Sequence, residues 1–190
     1  MSIIFIDPGI QNFDDLYNEF SNTHSVYLLS KNQNALLQIS ELISNENNTK
    51  SIHIFSHGSP GVLEFSSGSV STHNLLNYEE EIDLISNTLG SKSDIHLYGC
   101  NVGKGYEGKN FINLFSSISD LDIAASNDIS SSKILGGDWD LEIKTGDILE
   151  NTIVPKYFFG KLGAPTISNL DTNISYTENA GLGSLDSDIS

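Results

Sequence analysis

The sequence of 190 residues contains no arginine and has only 9 Lys against 25 acidic residues, which gives a formal net charge of −16 at pH 7. Proteins that bind nucleic acids or anionic lipids depend on clustered Lys and Arg side chains. Nine scattered lysines on so acidic a chain form no such cluster. We therefore expect no nucleic-acid partner, no membrane partner and no phosphate-bearing ligand.

Cysteine is equally scarce, since Cys100 is the single one and cannot form a disulfide within the chain. The sequence has neither a CxxC pair nor the HExxH pattern of a zinc-binding helix, so no metal site is predicted. The GxSxG elbow of α/β-hydrolases is also missing, which leaves Ser59 and Ser126 as weak hydroxyl nucleophiles. The lone thiol therefore needs another explanation.

A signal for export is missing at the start of the chain, because residues 1–9 (MSIIFIDPG) lack a basic start and a long apolar run. The content of Asn, Ser, Asp and Gly, with no disulfide, is typical of proteins exported through C-terminal signals. From composition alone, export from the cell and a cytoplasmic location are about equally favoured.

Short apolar runs alternate with helical periodicity along most of the chain. Strands are predicted at 3–6, 25–29, 52–55, 95–98, 122–125 and 138–143, helices at 12–21, 34–44, 72–89 and 107–118, and a hairpin at 62–65 and 69–71. Strands joined by helical crossovers form parallel sheets that are covered on both faces. The predicted fold class is α/β, a three-layer sandwich with a mostly parallel sheet.

The domain is predicted to end at residue 159. Residues 160–190 begin with the small residues and Pro165 of a linker and continue with β-prone residues. This tail is too short for a domain of its own, and we expect the sequence to be the front piece of a longer protein.

Two strand segments, 52–57 (IHIFSH) and 95–100 (IHLYGC), align without gaps at an offset of 43 residues. His57 and Cys100 each lie two residues beyond the aromatic that closes its strand. If the strands are neighbours, both side chains emerge at the carboxyl edge of the sheet, where open α/β sheets bind ligands. The alternative interpretation is a turn histidine beside a small buried cysteine.

A thiol and an imidazole at one edge are the minimum needed for covalent acyl transfer. The thiolate of Cys100 attacks a carbonyl carbon, and the His57 imidazolium protonates the leaving amine. The backbone N–H groups of Gly58 and Cys100 are predicted to form the oxyanion hole.

These residues resemble the caspase-like cysteine peptidases, which share an apolar strand followed by His-Gly and a second apolar strand ending in Cys. A closer resemblance is to an uncharacterised domain near the start of very large cadherin-like bacterial surface proteins. It spans about residues 3–155 and rests on residues 57–61 (HGSPG), 97–101 (LYGCN), 124–126 (AAS) and 136–142 (GGDWDLE). The resemblance implies a caspase-like sheet and a caspase-like peptidase domain at 1–159. It also implies that residues 160–190 are a linker and the start of an adhesin-type repeat.

The resemblance places the substrate pocket in the loops after the fifth strand, at Ser126, Asp128 and Trp139. An acid at Asp128 would select Lys or Arg before the cut bond, but a turn aspartate is the simpler interpretation. Trp139 fits either a pocket wall or the core. Without arginine, the Asp specificity of caspases is not expected. The caspase-like group also includes the self-cleaving domain of giant bacterial toxins, and too few basic residues are present for the inositol polyphosphate switch of that domain.

The function predicted is that of a cysteine endopeptidase acting on a polypeptide substrate, which includes its own chain. Lys161 and Leu162, just beyond the domain, are the predicted cleavage positions. The chemistry requires no cofactor, and calcium is a candidate structural or activating ion because a secreted or cell-surface protein would meet it. The alternatives are a catalytically silent cap or retention module of the adhesin, and a thiol hydrolase with a small acyl substrate.

Overall fold

A computed structural model describes residues 2–46 and 48–163 of the chain. The strands are β1 Ser2–Ile6, β2 Ser25–Leu28, β3 Ser51–Phe55, β4 His57–Ser59, β5 Val62–Phe65, β6 Gly68–Ser71, β7 Asp94–Tyr98, β8 Asp122–Ala125 and β9 Ile143–Lys144. The helices are α1 Phe13–Phe20, α2 Ala35–Ile43, α3 Glu79–Leu89 and α4 Gly105–Ser119, with short 3₁₀ turns at Leu75–Tyr78 and Lys133–Leu135. The predicted adhesin-type repeat lies outside the described residues. Within them, no helix has both the length and the apolar character needed to cross a membrane.

Six strands form one sheet in the order β2-β1-β3-β7-β8-β9, in which β9 alone runs antiparallel within the described chain. The mostly parallel α/β sheet predicted from the sequence is therefore confirmed. β3 and β7 are neighbours, and their register pairs Ile52 with Ile95 and Phe55 with Tyr98, the offset of 43 residues seen in the sequence. β4, β5 and β6 form a small antiparallel sheet that begins directly after β3.

Helices α2, α3 and α4 cover one face of the large sheet. In α2, Leu36, Ile39 and Ile43 form the buried stripe, and the side chain of Asn34 caps the helix by accepting the N–H groups of Leu36 and Leu37 at 2.9 and 3.2 Å. The apolar residues of this layer pack on the odd-numbered positions of β1 and β7 and the even-numbered positions of β3. Most of the hydrophobic core lies here.

The opposite face is covered by α1 and by the irregular segment 129–162, which completes the third layer. Leu16 and Phe20 of α1 pack in one apolar cluster with Tyr98, Trp139 and Phe158, among others. We call the cluster Ile4, Ile6, Ile10, Leu16, Phe20, Phe55, Tyr98, Cys100, Ala124, Trp139, Leu141, Phe158 and Leu162 the second core. On this face, an irregular segment therefore provides much of the covering layer that helices provide on the other face.

The helix predicted at 72–89 begins later, because Asn74 stabilises a turn before it. The Asn74 side chain accepts the Ser71 N–H at 2.8 Å and donates to the Ser69 carbonyl at 2.8 Å. Such side-chain bonds compete with helix formation. A 3₁₀ turn follows, and the α-helix starts at Glu79.

The strand predicted at 138–143 is wrong except at its last residue. Trp139 and Leu141 are buried and Asp140 and Glu142 are exposed, as the alternation indicated, but the ladder with β8 pairs only Ile143 and Lys144. Alternation reports that one side of an extended segment is buried, and it does not report a hydrogen-bonded neighbour.

A candidate active site at the carboxyl edge of the sheet

His57 and Cys100 both lie at the carboxyl edge of the sheet, each two residues beyond the register pair Phe55 and Tyr98. The N–H of Ser56 donates to the Tyr98 carbonyl at 3.0 Å, which extends the β3–β7 ladder by one step. A Cβ added to Gly99 would lie 3.3 Å from the carbonyl oxygen of His57, so the two turns are in close contact. The parallel register thus brings both predicted residues to one place.

A short segment of the chain itself, residues 161–163, crosses this edge. The carbonyl oxygen of Leu162 accepts the N–H of Gly58 at 3.1 Å and the N–H of Cys100 at 3.2 Å. These are the two amides predicted to form the oxyanion hole. We call residues 161–163 the docked segment.

The docked segment is held on both sides by backbone pairing. The N–H of Leu162 donates to the Ser130 carbonyl at 3.1 Å. Gly163 forms a parallel bridge with Gly58, and Lys161 forms an antiparallel bridge with Ser131. An extended peptide paired on both edges is the usual way in which a cleft binds a polypeptide.

The side chain of Leu162 is 0% exposed and belongs to the second core, whereas Lys161 is exposed. Trp139 and Phe158 belong to the same cluster, with ring centroids 5.9 Å apart. The cleft therefore encloses an aliphatic side chain at position 162. Trp139 is a core residue, and Leu162 packs in the same cluster.

The Cys100 thiol lies directly beside the docked segment and is itself only 2% exposed. A methyl group added at the Gly163 Cα would be 3.6 Å from Sγ, ordinary van der Waals contact. Sγ donates to the Ser130 carbonyl at 3.8 Å. Burial raises the pKa of the thiol, and the bond to Ser130 and the charge of Lys161 oppose that rise in part. The thiol is therefore neutral at neutral pH.

The tautomer of His57 follows from its single hydrogen bond. Nε2 lies 3.1 Å from the carbonyl oxygen of Gly9, and a carbonyl can only accept, so Nε2 carries the proton. In the neutral ring Nδ1 then carries the lone pair, and it is buried with no hydrogen-bond partner among residues 2–46 and 48–163. His57 has a free basic nitrogen, and it makes no hydrogen bond to Cys100 in this state.

Glycine is required at position 58 by the close approach of two loops. A Cβ there would lie 2.5 Å from Cγ2 of Val102, 3.1 Å from the Gly99 carbonyl carbon and 3.2 Å from the Cys100 carbonyl oxygen. The last two atoms belong to the backbone and cannot move aside cheaply. A side chain at position 58 would therefore push apart the two loops whose N–H groups bond to the Leu162 carbonyl.

Ser126 and Asp128 act here through their backbone carbonyls. Ser126 accepts the N–H of Gly103 and Asp128 accepts the N–H of Asn101, both at 2.7 Å, and these bonds fasten the loop after β8 to the loop after Cys100. The Ser126 side chain is hydrogen-bonded to Asp128 and points to no carbonyl of the docked segment. Both residues thus support the wall of the cleft.

The Asp128 carboxylate lies with those of Asp138 and Glu142, with one oxygen from each within 4.8 Å of the others. In the described part of the chain this trio is the only set with metal-ligand spacing, and His53, His57, His96 and Cys100 do not form one. Clusters of exposed acids are common on protein surfaces without a bound ion. The trio lies where an acidic pocket residue was predicted, while the side chain enclosed by the cleft is that of leucine.

His53 and His96 are buried inside the sheet, where their rings stack at 4.3 Å. His53 bonds to Ser51 at 3.0 Å and to the Tyr98 hydroxyl at 3.3 Å, and that hydroxyl accepts the Ile153 N–H at 2.6 Å. Burial lowers the pKa of His96 to about 4 and that of His53 well below its usual range. Both imidazoles are neutral core groups.

Gly9 and Ser130 are site residues that the sequence interpretation missed. Gly9 lies in a Pro-Gly turn, which signals chain reversal and not contact with a distant histidine. Ser130 contributes its backbone carbonyl, a group present in every residue. Neither role leaves a side-chain signal in the sequence.

Together, the fold and the site define an α/β domain with a thiol and an imidazole at the carboxyl edge of a mostly parallel sheet, and with its own downstream segment lying across them. The chain belongs to the family described as Domain of unknown function (DUF4347), whose sequence model matches residues 3–159. No curated protein matches the chain. The matched region ends at residue 159, just before the docked segment.

Proposed function

We propose that this domain is a caspase-like cysteine endopeptidase that cleaves its own chain between Leu162 and Gly163. The observation that carries the proposal is the position of the Leu162 carbonyl oxygen, which accepts the N–H groups of Gly58 and Cys100 at 3.1 and 3.2 Å. Donors at this spacing stabilise the oxyanion of a tetrahedral intermediate. Of the two cleavage positions predicted from the sequence, the geometry favours Leu162.

In the first step, His57 Nδ1 takes the Cys100 proton and Sγ attacks the carbonyl carbon of Leu162. The carbonyl π electrons move to oxygen, which the two N–H groups hold. The intermediate collapses by breaking the C–N bond to Gly163, and the imidazolium returns its proton to the departing amine. The result is a thioester between Cys100 and Leu162 and a new N-terminus at Gly163.

In the second step, a water molecule gives a proton to His57 and its oxygen attacks the thioester carbon. The C–S bond breaks, the imidazolium protonates the thiolate, and the new carboxylic acid of Leu162 loses its proton to solvent and becomes a carboxylate. The hydrogen bond between Nε2 and the Gly9 carbonyl is kept throughout both steps. Nδ1 therefore serves as both the base and the acid. Removing a positioned acid–base group of this kind costs roughly 10²- to 10⁴-fold in rate.

Intact-mass analysis of the chain during cell-free synthesis tests the proposal. We expect fragments 1–162 and 163–190 from the unaltered chain under reducing conditions. Cys100→Ala and His57→Ala should stay full length, while the matched controls Ser59→Ala and His73→Ala should be cleaved. A chain that stays intact both without and with added calcium would overturn the proposal. The calcium arm also tests whether the ion activates.

The second candidate function is a catalytically silent cap or retention module of a secreted adhesin-like protein. It is favoured by the resting state of the thiol, whose pKa is raised by burial and which bonds to Ser130 instead of His57. In that case the docked segment is only a structural part of the domain. Iodoacetamide labelling near neutral pH discriminates, because a silent thiol reacts at the same rate with and without His57→Ala.

The proposal includes the setting that the resemblance implies, a secreted or surface protein in which this domain precedes adhesin-type repeats. Cleavage after Leu162 would then separate the domain from everything that follows it. The proposed substrate is a polypeptide, and the docked segment is its first example.

A further inference from the structure

A buried carboxylate lies behind the imidazole of His57. Asp7 directly follows β1 and is 2% exposed. Its Oδ1 accepts the Gly9 N–H at 2.8 Å and the Ser66 hydroxyl at 2.7 Å, and its Oδ2 accepts the Ser66 N–H at 2.8 Å. A buried carboxylate is costly unless its oxygens are hydrogen-bonded in this way.

These bonds fix Gly9 in a space that admits no side chain. A Cβ added to Gly9 would lie 2.6 Å from the Ser66 hydroxyl oxygen and 2.7 Å from Oδ1 of Asp7. The Gly9 carbonyl is the group that accepts the His57 Nε2 proton. A continuous chain of contacts therefore runs from the Asp7 carboxylate, through Gly9, to the ring of His57.

We propose that Asp7 is the positioning residue of the site. It holds the Gly9 carbonyl in place, and that carbonyl holds His57 as the Nε2–H tautomer with the lone pair of Nδ1 free for the thiol proton. This inference rests on the proposed self-cleavage. A shift of a reacting group by about 1 Å costs on the order of 100-fold in rate, so loss of the clamp should slow self-cleavage about 10- to 100-fold.

Two variants weaken the clamp in different ways. Asp7→Asn keeps the size of the side chain, and its oxygen can still accept the Gly9 N–H and the Ser66 hydroxyl, but an NH₂ group that only donates replaces the oxygen that accepts the Ser66 N–H. Ser66→Ala removes one hydrogen bond and leaves the carboxylate intact, so it provides a milder variant if Asp7→Asn fails to fold. Asp83→Asn, at an exposed position of α3, is the matched control.

The first readout is the self-cleavage rate, and the second is the tautomer of His57, measured by ¹⁵N NMR in the uncleavable Cys100→Ala chain. We expect slower cleavage in both clamp variants, and an Nε2–H imidazole that becomes a mixture of tautomers when Asp7→Asn is added. A wild-type rate in Asp7→Asn, or slow cleavage with an unchanged tautomer, would overturn the inference. If the unaltered chain does not cleave, the proposed function fails, and the tautomer measurement still decides whether Asp7 positions His57.

Discussion

The Leu162 side chain should control self-cleavage, because its burial accompanies the seating of the carbonyl between Gly58 and Cys100. In the docked state the side chain is wholly enclosed in the second core, whereas an undocked segment would expose it to water. Leu162→Ala therefore weakens docking while the backbone groups stay the same.

The size of the effect follows from burial. Burying a leucine side chain is worth about 1.5 to 3 kcal/mol, and a Leu→Ala change in a closed core costs about 2 to 5 kcal/mol. Taking about 2 to 3 kcal/mol as the loss on docking, and tenfold in rate for each 1.36 kcal/mol, cleavage should slow by at most about 30- to 160-fold. Leu162→Met nearly conserves volume, costs about 1.5 kcal/mol or less, and should stay within roughly 10-fold.

The assay is intact mass at intervals during cell-free synthesis. Leu149→Ala is the matched control, since it is the same change in the same irregular region at a side chain that is 63% exposed. Leu162→Asp places a carboxylate in the apolar cluster and should abolish cleavage. The reasoning is refuted if Leu162→Ala cleaves as fast as Leu149→Ala, or if Leu162→Asp is processed.

Two further predictions concern titration and thiol access. Since His96 is neutral in the fold with a pKa of about 4 but takes a proton near pH 6.5 when unfolded, the free energy of unfolding should fall by about 2 kcal/mol from this group between pH 7 and pH 5. Urea denaturation at both pH values should show a smaller fall for His96→Leu, and equal falls would contradict the burial argument. Because the docked segment covers a thiol whose pKa is raised, Cys100 in the uncleaved His57→Ala chain should react slowly with iodoacetamide, and adding Leu162→Asp should speed the reaction. Equal rates would show that the segment does not control access.

The position of His57 and Cys100 at one edge of the sheet could be predicted because parallel neighbours in register repeat the same demands. Both strands are buried, and the pairs Ile52–Ile95 and Phe55–Tyr98 keep the offset of 43 residues that the sequence displays. The carboxyl edge is then fixed by strand direction alone. Two local patterns and one topological rule were enough to place the two side chains.

The docked segment could not be placed from the sequence, since three residues carry no periodicity. Gly160, Gly163 and Pro165 indicate a linker, and that is how the region was interpreted. The position of Leu162 depends on pairing with Gly58 and Ser130, which are far away along the chain. The irregular layer over the second face escaped prediction for a different reason, because its alternating residues imitate a strand.

The choice between the two predicted cleavage positions also follows from packing. Leu162 is a member of the second core, and Gly163 is the first residue beyond it. A cut after Lys161 would remove Leu162 from the domain and leave its place in the second core unfilled. A cut after Leu162 leaves that core complete, and the new carboxylate would lie where the carbonyl now accepts two N–H groups. The proposed cut after Leu162 would therefore leave the second core of the domain intact.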